Sequence, residues 1–131
     1  MRQYYPDPNI LPDSIFVAKT LILSARLYNA FYSGKLADIP DTYHSLLFYA
    51  EQLGCRINAG PPKERNDEYN RPFAVSAVLT AKDISALILH KALRLHAIWH
   101  ATTTIHNDSV ADILGYLKML AETGVPRGAA S

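Results

Sequence analysis

The sequence predicts an all-α fold: an antiparallel bundle of about four helices with an extended N-terminal segment and one long polar loop. Three observations predict it. Apolar residues recur at spacings of three and four in four separate stretches. Capping or breaking residues stand at the ends of those stretches. No run alternates apolar with polar residues across a tight turn, as paired strands would. The 131 residues, 49% of them apolar, are enough for one domain with a real core, so we read 1–131 as a single unit.

Residues 1–13 are polar, with Pro6, Pro8 and Pro12. Proline removes amide donors and steers its predecessor away from helix, so this stretch reads as an extended arm and not as a signal peptide. Tyr4, Tyr5, Ile10 and Leu11 give it something to pack with. The first helix is expected from Ile15 to Ser33, capped by Ser14 and stopped by Gly34. It carries two apolar rows: Ile15, Ala18, Ile22, Ala25 and Tyr28 or Asn29 in one, Phe16, Leu23 and Leu27 in the other. Lys19 and Arg26 share its polar flank, and no carboxylate falls within it. Residues 34–40 connect to a second helix, from Asp41 or Thr42 to Leu53, with Gly54 closing it. Leu46, Leu47, Tyr49, Ala50 and Leu53 supply its buried side.

Residues 58–72 form the long polar stretch, a loop by composition. It reads first as a solvated connector and second as a lid, in which Lys63, Arg65, Tyr69 and Arg71 fold over an anion. The stretch from Val78 to Glu122 is the centre of the chain. Thr80 and Asp83 have the spacing of a capping box, which starts a helix running to about His100. This helix is apolar nearly all round and reads as the buried middle of the bundle, although it carries Asp83, His90, Lys91 and Arg94. The last helix begins within His106–Ser109 and ends before Gly124 and Pro126, with an apolar stripe of Val110, Ile113, Leu114, Leu117, Leu120 and Ala121. Asp41-Thr42 and Leu46-Leu47-Phe48-Tyr49 align without gaps on Asp108-Ser109 and Ile113-Leu114-Gly115-Tyr116, but amphipathic helices resemble one another by chance, and we take the echo as chance.

Composition excludes several function classes. Thirteen basic against twelve acidic residues, net +1, leave no basic excess for a specific nucleic-acid interface. Cys55 is alone, so the chain forms no internal disulfide and no thiolate metal cage. The apolar runs are interrupted by charge, so neither spans a membrane, and a cytoplasmic location follows. No phosphate-binding Gly-x-x-x-x-Gly-Lys loop and no Gly-x-Ser-x-Gly elbow occurs, and neither Ser109 nor Cys55 has an identifiable base.

Three constellations can carry chemistry, a charged cluster, the histidines and the tyrosines, and the charged cluster is the first. Lys91 and Arg94 lie three apart on one helix, Asp108 and Asp112 four apart on the next, and antiparallel packing brings the pairs together. By itself such a cluster reads as a salt-bridge network pinning two helices. Its functional reading is a phosphate and metal site: the cations neutralise phosphate oxygens, and Asp108 and Asp112 hold Mg²⁺. His96 and His100, four apart with His106 near, have a Zn²⁺-sharing spacing but read as ordinary histidines of a wet helix end. Among eight tyrosines, Tyr116 is the best placed to stack on a base, because it follows Gly115 beside Asp112.

Leu79-Thr80-x-x-Asp83, Lys91-x-x-Arg94 and Asp108-Ser109-x-x-Asp112-x-x-Gly115-Tyr116 resemble the C-terminal half of a small phage protein family related to the MazG-like, all-α nucleoside triphosphate pyrophosphatases. The resemblance covers about residues 78–122. It implies an oligomeric helical bundle that handles a nucleotide in the host cytoplasm, with Asp108 and Asp112 in place of the later of two metal-binding acidic pairs. The earlier pair, Glu-x-x-Glu, does not occur in this sequence; Asp83 and Glu51 are the nearest helpers. Phosphoanhydride hydrolysis by that route needs several carboxylates around Mg²⁺. The expectation is therefore a homo-oligomeric protein that holds a phosphorylated nucleotide through Lys91, Arg94, Asp108, Asp112, Tyr116 and His90, sequestering it without efficient turnover. The alternatives are a Mg²⁺-dependent pyrophosphohydrolase and a structural, protein-binding bundle.

Overall fold

The computed structural model describes residues 12–57 and 79–123. They form α1 (Asp13–Ser33), a 3₁₀ turn (Leu36–Asp38), α2 (Ile39–Arg56), α3 (Ala81–Thr102) and α4 (Asn107–Glu122), with no strand among the described residues. The all-α bundle read from the sequence is the fold found. The expected arm, the polar loop with its lid cations, and the Gly124–Pro126 stop lie outside the described residues.

Contacts place α1 beside α2 and α3, and α4 beside α3 and α2, so the helices close a ring. Each neighbouring pair runs antiparallel. Arg56 at the end of α2 meets Asp13 at the start of α1, and Lys82 at the start of α3 lies over the ring of Tyr32 near the end of α1. Tyr43, early in α2, donates its hydroxyl hydrogen to the Leu117 carbonyl, late in α4, at 3.2 Å. Inside the ring Phe16, Leu27, Leu46, Leu53, Ile84, Ile88, Leu95, Ile113, Leu117 and Leu120 are fully buried. Burying a large apolar side chain is worth roughly 1.5–3 kcal/mol, so this core dominates stability.

The helix boundaries follow local chemistry, with corrections. Gly34 ends α1 in the left-handed region at φ 76°, as a C-terminal glycine does. Ser14 is not the cap: α1 starts at Asp13, two residues before the expected Ile15, after an extended Pro12, and takes in Asp13 as its first-turn carboxylate. α2 begins at Ile39 rather than Asp41, because Pro40 sits in the first turn, where its missing N–H is not needed. It also runs through Gly54 to Arg56. The glycine does not stop the helix, and a Cβ there would meet Leu114 Cδ1 of α4 at 3.4 Å, the edge of ordinary contact. In α4, Ala121 is exposed and Met119 is buried, a small rotation of the expected stripe.

Only one row of α1 faces the core. Phe16, Leu23 and Leu27 are buried, whereas Ile15 is 38% and Ile22 51% exposed. α3 is not the buried middle of the bundle either: Ile84, Ile88, Ala92 and Leu95 point inward, but Leu93 is 52% exposed. Four helices in a ring each keep an outward face. Thr20 and Ser24 are fully buried on α1, and their hydroxyls find no hydrogen-bond partner among the described residues. No helix is long and apolar enough to cross a membrane among the described residues.

Candidate functional site

α3 starts where the Thr80–Asp83 spacing puts it. The Asp83 amide donates to Thr80 Oγ1 and the Thr80 amide to the Asp83 carboxylate, each at 3.1 Å, so both halves of the capping box are made. α3 ends at Thr103, which adopts φ 57° and returns its amide to the Trp99 carbonyl at 2.8 Å. Residues 103–106 then turn the chain, with His106 in the N-cap position of α4 but making no side-chain cap bond. So short a connection makes α3 and α4 antiparallel neighbours. The flank of α3 bearing Lys91 and Arg94 thereby faces the first turns of α4.

There Lys91, Arg94, His106, Asp108, Ser109 and Asp112 line a cavity of about 170 Å³. All four residues of the sequence-level cluster are brought together. Lys91 Nζ lies 2.9 Å from Asp112 Oδ2, with the two side chains only 21% and 14% exposed. Asp112 Oδ1 is buried and has no hydrogen-bond partner among the described residues. A carboxylate this enclosed depends on its cation, since a buried charge left alone is expensive. Arg94 is exposed, and no carboxylate among the described residues forms an ion pair with it.

His106 and Ser109 are the members that residue spacing missed. His106 Nδ1 and Ser109 Oγ stand 2.7 Å apart, and the tautomer decides which one donates. Ser109 therefore does have an imidazole beside it, contrary to the sequence reading. The available signal was a polar residue three positions into a helix from its cap, the spacing that brings the two side chains together.

The remaining expected residues lie elsewhere. His90 is exposed and outside the cavity lining. Tyr116 is half-buried, packs against the core and does not line the cavity; it sits one helical turn beyond Asp112. Asp83 is committed to the cap of α3, and Glu51 is exposed on α2. His96 and His100 meet edge to face, 4.5 Å between ring centroids. No group of three or more His, Cys, Asp or Glu side chains close enough to hold a metal occurs among the described residues. Cys55 is an exposed free thiol.

Among the described residues, the perturbed titratable group is Tyr43, at the joint between α2 and α4. Burial, and secondarily the charge of Glu51, raise the Tyr43 phenol above its ordinary value.

Chemically, the cavity offers cationic and hydroxyl donors at a helix N-terminus, where partial positive charge already favours an anion. Two carboxylates oppose them. Lys91 and Asp112 neutralise each other, and Arg94 is the exposed cation of the lining. Compared with known proteins, this chain matches no protein family, no curated protein and no solved structure.

Proposed function

We propose that the chain binds a phosphorylated nucleotide at the α3–α4 cavity and holds it without efficient turnover. The convergence of Lys91, Arg94, His106 and Ser109 on one cavity at the start of α4 carries this reading. Its volume, about 170 Å³, is below the ~300–1,000 Å³ of ordinary small-molecule pockets, so the phosphate end enters and the base lies outside. Arg94 is the principal phosphate contact, since its planar fork matches phosphate oxygens and it is accessible. In this reading Asp108 and Asp112 would hold Mg²⁺, which would supply charge neutralisation to the phosphate. Turnover is disfavoured by the donor set. The cavity brings two carboxylates, and one oxygen of Asp112 is already taken by Lys91. A Mg²⁺-dependent pyrophosphohydrolase needs a fuller oxygen cage to fix the metal and aim water. Origin in a phage, self-association and sequestration of a nucleotide signal go with this reading through the family resemblance.

A thermal-shift screen of nucleotides with and without Mg²⁺ tests it, with chromatography of the ligand afterwards. Ligand at a hundredfold its dissociation constant stabilises by roughly 2.7 kcal/mol. The expected result is a shift with intact ligand recovered, reduced at least tenfold in affinity by Arg94→Ala. Recovery of monophosphate and pyrophosphate turns the reading to the enzyme.

The 2.9 Å Lys91–Asp112 pair favours a second reading, in which the cluster only fastens α3 to α4. No shift with any nucleotide, with Lys91→Met still destabilising, selects it.

A further inference from the structure

α1 carries two apolar rows, and the bundle uses one. The other, Ile15, Ala18, Ile22 and Ala25, runs at alternating spacings of three and four, the repeat of a helix-pairing seam. It faces outward: Ile22 is 51% and Ile15 38% exposed, with Ala18 and Ala25 half-buried between them. A lone exposed isoleucine needs no explanation, but an outward row with seam spacing does. At its far end the row opens into a groove of about 420 Å³, lined by Ile22, Ala25 and Ala30 with Arg26, Asn29 and Lys35 among its polar residues.

Charge decides what fits. Lys19 and Arg26 are exposed along one flank of the row, and Lys35 continues the cations into the groove, where Asp38 is the single acid. The only carboxylate of α1, Asp13, is engaged by Arg56 at 2.8 Å. A second copy of α1 is a poor occupant. Two-fold antiparallel pairing brings each flank against itself, setting Lys19 and Arg26 of both copies side by side. Parallel pairing meets those cations with the opposite flank, where α1 has no carboxylate. Like charges at such flanking positions repel, and opposite ones select the partner.

We propose that the outward row of α1, with the groove at its C-terminal half, docks an amphipathic helix of another protein whose apolar stripe is flanked by glutamate or aspartate. The helix lays alternate turns over Ile15, Ala18, Ile22 and Ala25 and sets its acids against Lys19 and Arg26. This surface belongs to α1 and its 3₁₀ turn, while the nucleotide cavity belongs to α3 and α4, so the two stand or fall separately.

The test uses the full chain and two synthetic helical peptides of about three heptads with the same Leu and Ile seam, one flanked by Glu and one by Lys. Fluorescence anisotropy should show the acidic peptide binding at least tenfold more tightly, with affinity falling as salt rises. Ile22→Asp should weaken it at least tenfold at an unchanged melting temperature, because Ile22 lies outside the core. Lys19→Glu with Arg26→Glu should reverse the preference toward the basic peptide. Equal binding of both peptides, binding of neither, or a chain dimer that Ile22→Asp dissolves would each overturn the proposal, the last by making a second copy the occupant.

Discussion

Among the described residues a cation–carboxylate pair crosses each of the two helical hairpins, and the pairs sit in opposite surroundings. Between α1 and α2, Arg56 lies 2.8 Å from Asp13, and its guanidinium rests 4.6 Å over the Phe16 ring. Between α3 and α4, Lys91 lies 2.9 Å from Asp112 in a cavity that also gathers Arg94, His106, Asp108 and Ser109. The first cation is packed on an aromatic face with its acid 38% exposed, a fastening at the rim. The second is one charge pair among six polar side chains, more than joining two helices requires. The same pair chemistry thus fastens one seam at its rim and lines a polar cavity at the other, and the difference lies in the neighbours.

The comparison breaks most readily at the second pair. Lys91→Met leaves the Asp112 carboxylate enclosed without its cation and should cost about 3 kcal/mol in urea unfolding, with Lys91→Met/Asp112→Leu recovering most of it. Equal losses in single and double variants would show that the pair carries no special burden.

Tyr43 joins the hairpins and gives a smaller effect. Tyr43→Phe removes its bond to Leu117 and should cost about 1 kcal/mol near neutral pH. Its pKa is raised in the folded chain, so its contribution is complete below the unfolded value of about 10 and declines as pH rises through the folded value. Tyr43→Phe should therefore flatten the loss of stability above about pH 10; an unchanged slope would assign that loss to other groups.

The rim pair should matter least. Asp13→Asn is expected to cost about 0.5 kcal/mol and to be masked in high salt. A loss as large as that of Lys91→Met would erase the distinction between the seams.

Much of this was legible in the residues. The Thr80–Asp83 box and the Gly34 stop are local chemistry, and both are made as spacing predicts. Lys91, Arg94, Asp108 and Asp112 were legible as a cluster because helical spacing fixes each pair and a short connection fixes their neighbourhood. Gly54 was misread because a glycine in an amphipathic stretch does not say whether the helix stops there or runs on, and α2 runs on to Arg56. The outward turn of Ile15 and Ile22 was equally hidden, since two apolar rows on one helix do not say which one the bundle takes. Tyr116 shares the flank of Asp112, but the cavity is one turn too short to reach it.

Thr103 holds a left-handed backbone with a branched side chain, a combination that costs energy where glycine would not. It stands at the turn from which both walls of the cavity depart. Thr103→Gly should raise the melting temperature; an unchanged or lower value would show that glycine's larger entropy loss on folding outweighs the strain. The turn between α3 and α4 is thus wound slightly against its own preference, a stress that one substitution outside the cavity lining releases.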